Sequence, residues 1–402
     1  MRRLALLIWG TDFDPAMRPL LAVGFTETIA GFLLWPFLGI WALKHLGASQ
    51  TQLAITFLFG AVAAVVSGWL GGHLSDYVGR RPVMLVSMTS LVITPLLLIV
   101  VGHHVIAGLV AMTLFGVGGA MFNAANYAMV ADLLPPERRE AGYASVRVAN
   151  NLAGCFGPPL GGLLLIGGSW TRLALGSCAL GGAALFIGLR LLPRHGLYAP
   201  ESAPERSSFA VVRRDSPFLL FVGSSVLASM TYVAFDSLLP ISLATSHGIE
   251  PALWGFLVII NTAFVAFGQL RLTRAVAHVS PSLKLAVAMP MMGLPFVLLS
   301  LNDSIGFVAV LITIFVIGEM LWVPTSQAVV ARFAPPDVRG AYMGVYGSAS
   351  QAAWALTPFA GLQVRHVYGD SAMWTVVAVI SLAAAAAGAV AAREPRVASV
   401  PA

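Results

Sequence analysis

The chain has 402 residues, of which 58% are hydrophobic and only 10% are charged, and its formal net charge is +6. Soluble domains carry about 25% charged residues, so the composition excludes a soluble protein and predicts a bundle of membrane-spanning helices. The basic residues lie in short loops between apolar segments, not in a patch with interleaved aromatic residues. The positive charge therefore indicates contact with anionic membrane lipid and no binding of nucleic acid.

A helix needs about 20 apolar residues to cross a membrane. Twelve segments meet this length, with approximate bounds of 19–44, 51–75, 82–101, 105–132, 141–166, 170–192, 217–245, 252–273, 283–301, 305–332, 340–364 and 371–392. Residues 193–216 form a long polar stretch that is typical of a linker. We therefore predict an N-terminal six-helix bundle over 1–192, a cytoplasmic linker over 193–216 and a C-terminal six-helix bundle over 217–402.

The basic residues also predict how the chain is oriented in the membrane. Arginine or lysine follows every even-numbered span, whereas the opposite loops contain few of these residues. Loops rich in arginine and lysine stay on the cytoplasmic side of a membrane. We expect a multi-pass protein of the bacterial plasma or inner membrane with both termini in the cytoplasm.

The first span contains the acidic residue Glu27, nine positions after Arg18. An ionisable group at the centre of a spanning helix costs about 2.5–3.5 kcal/mol on insertion scales, so each one calls for a structural or functional reason. Glu27 is either a carboxyl group that takes part in transport or a residue that still lies near the cytoplasmic interface.

A short polar loop at residues 72–82 connects the second and third spans, and its key residues are Gly72, Asp76, Gly79, Arg80 and Arg81. This pattern closely resembles the loop between helices 2 and 3 of major facilitator superfamily transporters, whose form is Gly-x-x-x-Asp-Arg/Lys-x-Gly-Arg-Arg/Lys. The chain departs from the pattern at Tyr77, where a base is usual. The resemblance implies an all-α integral membrane protein with 12 transmembrane helices in two pseudo-symmetric six-helix bundles.

The acid of this loop is expected to act as a conformational latch. Asp76 could cap the start of a neighbouring helix or pair with Arg138 or Arg139, the bases that follow the fourth span. Such a pair would hold the cytoplasmic side of the transporter closed. The corresponding segment of the second half, residues 268–274, lacks the acid, so we expect an asymmetric latch.

The fifth span contains a glycine and proline motif formed by Gly157, Pro158, Gly161 and Gly162. It resembles the Gly-Pro-x-x-Gly-Gly motif associated with the drug/proton exporters of this superfamily. Proline bends a helix and glycine lets a neighbouring helix approach closely, so we expect a packing seam here. The motif favours an exporter over an importer, and the alternative is an ordinary kinked span.

Arg147 lies earlier in the same span and has two interpretations. It could face a central cavity, pair with Glu27 and respond to its protonation, or it could extend to the membrane interface. Many proton antiporters of this superfamily carry an arginine in span four, and this chain has none between Val105 and Val130. Arg147 would have to take that role.

Asp236 in the seventh span and Glu319 near the middle of the tenth are two further ionisable residues. The strings around them resemble spans seven and ten of the lactococcal multidrug/proton antiporter, in which acids at the matching positions take part in proton coupling or cation binding. The resemblance implies the same roles for Asp236 and Glu319. The alternatives are a helix-end residue in contact with water for Asp236, and a neutral or paired acid that aids packing for Glu319.

Other polar and aromatic residues at helical spacing are candidates for lining an amphiphilic cavity: Asn123, Tyr127, Asn150, Asn151, Tyr232, Trp322, Gln327 and Tyr346. The two halves also repeat at an offset of 200, since Pro135 coincides with Pro335, Pro158 with Pro358 and Gly161 with Gly361. Two parallel halves of this kind are the architecture of the superfamily.

These observations predict a secondary active transporter that exports amphiphilic or cationic drugs in exchange for protons. We expect a monomer whose partners are its small-molecule substrate, protons and membrane lipid. No phosphate-binding loop, nucleophile–base arrangement or zinc spacing occurs in the sequence, so we expect no enzymatic activity, no cofactor and no metal. The alternatives are an exporter or importer of a specific metabolite (a sugar, peptide, lipid or siderophore) and a non-transporting membrane protein.

Overall fold

The computed structural model describes residues 14–194, 212–334 and 339–393. Within these ranges the chain forms thirteen α-helices and no strand. After a 3-10 turn at Pro15–Met17 they are α1 (Arg18–Lys44), α2 (Gln50–Val78), α3 (Arg80–Val100), α4 (Val105–Leu133), α5 (Pro136–Leu165), α6 (Trp170–Leu191), α7 (Ser216–Ser237), α8 (Leu239–Thr245), α9 (Pro251–Ala275), α10 (Pro281–Gly293), α11 (Ile305–Phe333), α12 (Arg339–Tyr368) and α13 (Asp370–Ala391).

A helix occupies the position of every predicted span, so the all-α membrane fold is confirmed. Ten helical segments of the described chain are long and apolar enough to cross a membrane. The remaining two predicted spans are α5 and α12, each of 30 residues. They are less apolar because polar residues such as Asn150, Asn151 and Gln351 interrupt them.

Two of the predicted spans are broken by proline. The seventh span is divided at Leu238 into α7 and α8, because Pro240 has no N–H group to donate to the carbonyl of Asp236 four residues earlier. The ninth span is an α-helix only as far as Gly293 and continues as a 3-10 helix over Leu294–Leu301, with Pro295 near its start. The apolar pattern predicts a single continuous helix over each of these spans, so the prediction was wrong about their continuity.

The chain folds into two compact units, Met1–Gly47 with Phe59–Ser202, and Ala48–Leu58 with Ala203–Ala402. In the first unit α1 packs against α5 and α6, while α3 packs against α4 and α6. In the second unit α7 packs against α12 and α13, while α10 packs against α11 and α13. The same pattern of neighbours therefore recurs at the offset of the sequence repeat. The predicted linker falls largely outside the described residues, so the domain bounds stay a prediction.

The glycine and proline motif of α5 lies against α1. A Cβ atom added to Gly157 would lie 2.6 Å from Phe32 Cβ, and one added to Gly161 would lie 2.3 Å from the carbonyl oxygen of Leu33. Pro158 and Gly162 of the same motif are buried. Only residues without side chains allow α1 to approach this closely, so the motif forms a tight helix–helix seam.

A polar cluster joins α8, α12 and α13 in the second unit. Asp370 accepts hydrogen bonds from Arg365 Nε at 2.7 Å and from Ser242 Oγ at 2.7 Å. The Arg365 guanidinium also donates to Thr245 Oγ1 at 2.5 Å, and His247 Nε2 lies 3.4 Å from Asp370 Oδ2. Arg365 and Asp370 thus satisfy each other within a mostly buried network that fixes the ends of three helices.

Candidate functional site

In the first unit, Glu27 is placed on the buried face of α1 and is 8% exposed. The hydroxyl of its neighbour Thr28 lies 3.3 Å from Glu27 Oε2 and 3.2 Å from Asn150 Oδ1 on α5. A threonine hydroxyl carries a single proton, so the two acceptors compete for it. Protonation of Glu27 would make its carboxyl group a weaker acceptor and so favour the bond from Thr28 to Asn150.

The predicted ion pair between Glu27 and Arg147 does not form within the described part of the chain. Asn150, not Arg147, lies level with Thr28, and Arg147 is one turn, about 5 Å, nearer the start of α5. The Arg147 side chain is exposed instead. This part of the sequence interpretation was wrong about the partner, although the structure does place Glu27 beside α5.

Arg147 lies on a polar stripe of the first unit. Asn151 is exposed one turn further along α5, and Asn123 and Tyr127 are exposed on α4. The ring of Tyr127 lies 6.0 Å from the ring of Tyr143 on α5 and so connects the two helices. Three of the predicted cavity residues, Asn123, Tyr127 and Asn151, are therefore exposed, whereas Asn150 is half-buried and contacts Thr28 of α1.

Sequence reasoning missed Asn126, which is buried on the side of α4 that faces α1. Its Oδ1 atom has no hydrogen-bond partner among the described residues, and its Nδ2 atom lies near Gly24 of α1. A buried amide without a full set of partners is costly. Only its position relative to α1 distinguishes it from Asn123, and the sequence does not give that position.

In the second unit, Glu319 lies on α11 and accepts a hydrogen bond from Asn261 Nδ2 of α9 at 2.5 Å. A second bond joins the same helices one residue further on. Pro324 has no N–H group for the carbonyl of Met320, and Gln269 Nε2 of α9 donates to that carbonyl at 2.9 Å. Two side-chain hydrogen bonds from α9 therefore connect it to α11, one at the Glu319 carboxyl group and one at the carbonyl of the next residue.

Asp236 lies in the last turn of α7 and is half-buried. Its negative charge acts on the Glu319 carboxyl group, but no hydrogen bond joins the two groups in the described part of the chain. The two acids, which lie in separate predicted spans, therefore belong to the same region of the second unit. Like charges in a site shielded from water repel each other, so a proton or another cation would be favoured near these acids.

Aromatic rings lie beside these acids. The Tyr232 ring is 6.3 Å from the Phe315 ring and 6.1 Å from the Trp322 ring, and Phe235 stacks on Phe315 at 4.2 Å. Trp322 Nε1 is buried and has no hydrogen-bond partner in the described residues. Tyr232 and Trp322 are both among the residues that the sequence predicted to line an amphiphilic cavity.

Two further predicted cavity residues belong to this unit. Gln327 is exposed two turns beyond Glu319 on α11, and Tyr346 is half-buried on α12.

The predicted loop over residues 72–82 is helical except at Gly79, because α2 continues to Val78 and α3 begins at Arg80. The predicted latch residue Asp76 also has a different partner from the one expected. Arg80 forms an ion pair with Asp76 and a second one, of 3.0 Å, with Asp132 at the end of α4. Arg80 also donates to Ser75 Oγ at 2.7 Å. The expected pairing of Asp76 with Arg138 or Arg139 is wrong, because Asp76 and Arg80 are only four residues apart and reach each other directly.

The bases after α4 bind elsewhere in the first unit. Arg138 forms a 3.0 Å ion pair with Asp14, and Arg139 Nε donates to the carbonyl of Leu134. The backbone N–H of Ala16, together with Arg138, holds the pKa of Asp14 below its usual range. This pair secures the segment before α1 to the start of α5.

The turn between α2 and α3 is the single residue Gly79, and the other residues of the motif lie in the flanking helices. Gly79 has φ +94°, a conformation that side chains disfavour, and it directly precedes α3. Gly72 accepts a hydrogen bond from Ser75 Oγ at 2.7 Å, and Arg81 donates to the carbonyl of Leu189 at 2.7 Å. Asp132 is the member of the latch that sequence reasoning missed, and its one signal is an acid at the end of an apolar span.

The family profile of the Major Facilitator Superfamily matches residues 20–358, so the chain belongs to this superfamily. Similar sequences include a Na(+), Li(+), K(+)/H(+) antiporter of Planococcus maritimus, 21% identical over 364 residues (82% of this chain and 85% of the antiporter). The multidrug resistance protein MdtH of Enterobacter sp. (strain 638) is 26% identical over 324 residues (78% of this chain and 77% of MdtH). The crystal structure of the nucleoside transporter NupG has a TM-score of 0.75 at 15% identity and covers 95% of this chain and 100% of that chain.

Proposed function

We propose that the protein exports amphiphilic cations in exchange for protons. The observation that carries the proposal is the presence of Asp236 and Glu319 in one region of the second unit, beside the aromatic rings of Tyr232 and Trp322. Repulsion between the two carboxylates favours a bound cation, and protons and an organic cation would compete for these acids. Aromatic faces attract organic cations and provide apolar contact for them.

Competition for one acid pair is sufficient to couple the two fluxes. When protons occupy the pair, the organic cation is released, and when the cation occupies it, the protons leave. Asn261 orients the Glu319 carboxyl group because its amide N–H donates to it. The relatives named as a multidrug resistance protein and as a cation/proton antiporter support this proposal.

The other predicted residues have roles outside the acid pair. Glu27, with Thr28 and Asn150, is proposed as a second protonation site in the first unit. The latch formed by Asp76, Arg80 and Asp132 is proposed to favour one state of the alternating-access cycle. The protein is further proposed to lie in the bacterial inner membrane with both termini in the cytoplasm.

The test is exchange in proteoliposomes. Ethidium movement is measured under an imposed pH gradient for the wild type, Glu319→Gln and Asp236→Asn. Both variants keep the shape of the side chain but cannot bind a proton, so we expect each to abolish movement of ethidium against its gradient. Glu250→Gln is the matched control, because Glu250 is an exposed acid before α9 and loses the same charge.

Two results would contradict the proposal. Wild-type exchange in both acid variants would leave Asp236 and Glu319 with a structural role only. Movement of ethidium by the wild type that does not respond to the pH gradient would exclude proton exchange.

A second candidate is exchange of monovalent metal cations for protons. It is favoured by the relative named as a Na(+), Li(+), K(+)/H(+) antiporter and by the oxygen atoms that Asp236, Glu319 and Asn261 offer. The same proteoliposomes distinguish the candidates: proton release driven by sodium, lithium or potassium alone, with no response to ethidium, would favour the metal ions.

A further inference from the structure

The Arg147 guanidinium is a positive charge without a described counter-ion. It lies in the first half of the 30-residue helix α5, its side chain is exposed, and no described residue forms an ion pair or hydrogen bond with it. A charged residue within a spanning helix is costly unless it meets water or an opposite charge. Some group outside the described contacts must therefore stabilise it.

The surface around Arg147 is hydrophilic. Tyr143 and Asn151 lie one turn before and one turn after it on α5, and both are exposed. Asn123 and Tyr127 are exposed on the adjacent helix α4. Contact of this surface with lipid tails would leave four polar side chains without partners, so the surface faces water or a polar ligand.

The second half of α5 presents a contrasting surface. The exposed residues there are Phe156, Leu160 and Leu163, all apolar and all typical of contact with lipid. The helix thus has one polar exposed stretch and one apolar exposed stretch. Arg147 lies at the centre of the polar one.

The nearest predicted counter-ion, Glu27, does not neutralise Arg147. Glu27 is buried, and its carboxyl group is engaged with Thr28, which in turn contacts Asn150. The guanidinium therefore keeps its full charge and its planar set of donors. That set binds a carboxylate, sulfonate or phosphate through two parallel hydrogen bonds, and the amides of Asn123 and Asn151 add further donors.

We infer that Arg147, with Asn151 and Asn123, forms a subsite for an anionic group of the transported compound. The inference rests on the proposed function and narrows its substrate class to zwitterionic amphiphiles, which carry a carboxylate as well as a delocalised cation. Arg147 would recognise the anionic group.

A matched pair of dyes tests this directly. Tetramethylrhodamine has a free carboxylate, and its methyl ester is the same cation without the anionic group. We expect the wild-type protein in neutral-lipid nanodiscs to bind the acid more tightly than the ester, as measured by fluorescence anisotropy. Arg147→Gln should weaken binding of the acid about tenfold or more, as expected for loss of hydrogen bonds to a charged group, and leave the ester unchanged.

Two further variants serve as controls. Arg147→Lys keeps the charge but loses the planar fork, so it should recover only part of the affinity for the acid. Arg271→Gln removes an exposed arginine from α9 in the other unit and should change neither affinity.

Three outcomes separate the inference from the proposed function. Equal weakening of both dyes by Arg147→Gln would show a structural role and overturn the inference. Proton-coupled transport of the ester by a wild type that does not prefer the acid would overturn the inference and leave the proposed function standing. Acid binding that depends on Arg147 but is never exchanged for protons would support the subsite and defeat the proposed function.

Two further outcomes also count against the inference. Failure of the folded wild type to bind either dye would count against both proposals. The binding measurement is repeated in nanodiscs that also contain anionic lipid. If the anionic lipid displaces the acid, Arg147 binds a lipid headgroup and the inference fails.

Discussion

Single residues in this protein compensate for the hydrogen bonds that proline removes. Pro324 leaves the carbonyl of Met320 without its helical donor, and Gln269 from α9 supplies one at 2.9 Å. Glu319 immediately precedes this carbonyl. The side chain of Gln269 therefore positions the turn of α11 that carries the proposed proton site.

We expect Gln269→Ala to lower the free energy of unfolding by about 1–3 kcal/mol, because it leaves a carbonyl without a partner. Pro324→Ala restores the N–H group that the carbonyl lacks. In the Pro324→Ala background the cost of Gln269→Ala should therefore shrink, which thermal unfolding in detergent measures as a double-mutant cycle. Equal costs in both backgrounds would show that Gln269 acts through another contact.

The two acids bonded to Arg80 should contribute unequally. The Asp132 side chain is 14% exposed, whereas the Asp76 side chain is 57% exposed. Asp132→Asn should destabilise the protein by about 1.5–3 kcal/mol, typical of a hydrogen bond to a charged group. Asp76→Asn should cost less than about 1 kcal/mol, since water screens an exposed pair.

The same variants test the latch. If the latch favours one conformational state, Asp132→Asn should also alter the labelling of cysteines placed on the two faces of the protein, and by more than Asp76→Asn does. A larger effect of Asp76→Asn on either measurement would contradict this ranking.

At the scale of helices, the repeat conserves the position of a glycine but not what it touches. A Cβ atom on Gly161 would meet the backbone carbonyl of Leu33 at 2.3 Å, whereas one on Gly361 would meet the flexible side chain of Leu238. A backbone atom cannot move unless its helix moves. The seam between α1 and α5 is therefore more rigid than the equivalent contact of α12 with Leu238, which lies at the break between α7 and α8.

We expect Gly161→Ala to destabilise the protein by about 1–3 kcal/mol, the usual cost of overpacking, and Gly361→Ala to cost clearly less. Gly182→Ala is the control, because its added methyl group would meet nothing within 4 Å. Thermal unfolding of the three variants gives the order. Equal losses for Gly161→Ala and Gly361→Ala would mean that Leu238 is as immovable as a backbone carbonyl.

At the scale of the whole molecule, the sequence predicted the fold because the membrane restricts the choice of structure. Backbone groups in hydrocarbon must form hydrogen bonds within the protein, so long apolar segments form helices. The placement of arginine then predicts the direction in which each helix crosses the membrane. The packing of α1 and α7 against their neighbours also follows the repeat. The positions of most helices could therefore be predicted from the apolar segments of the sequence.

The partners of polar side chains could not be read in the same way. Several bases of the sequence could pair with Asp76. The turn at Gly79 brings Arg80 next to it, and the ion pair forms with Arg80. The cluster of Arg365 and Asp370 and the bond from Gln269 to Met320 depend on helices that are distant in the chain. Such pairings are set by helix rotation, which an apolar pattern leaves undetermined.

The orientation of the molecule in the membrane is open to a direct test. With Cys155 and Cys178 replaced, single cysteines are introduced by His104→Cys before α4 and by His278→Cys after α9. The distribution of arginine predicts that a membrane-impermeant maleimide labels position 104 in intact cells and position 278 only in inverted vesicles. The reverse pattern would place both termini outside the cytoplasm.

The break after Asp236 has an electrostatic consequence of its own. Helix α7 ends at Ser237, and Pro240 offers no N–H group to the carbonyl of Asp236. The carbonyl oxygen of Asp236 therefore has no helical donor and keeps its partial negative charge. This partial charge belongs to the backbone and remains after any side-chain substitution. The neighbourhood of Asp236 should therefore attract positive ions even in Asp236→Asn, so that variant would lose proton exchange before it loses its preference for cations over neutral compounds.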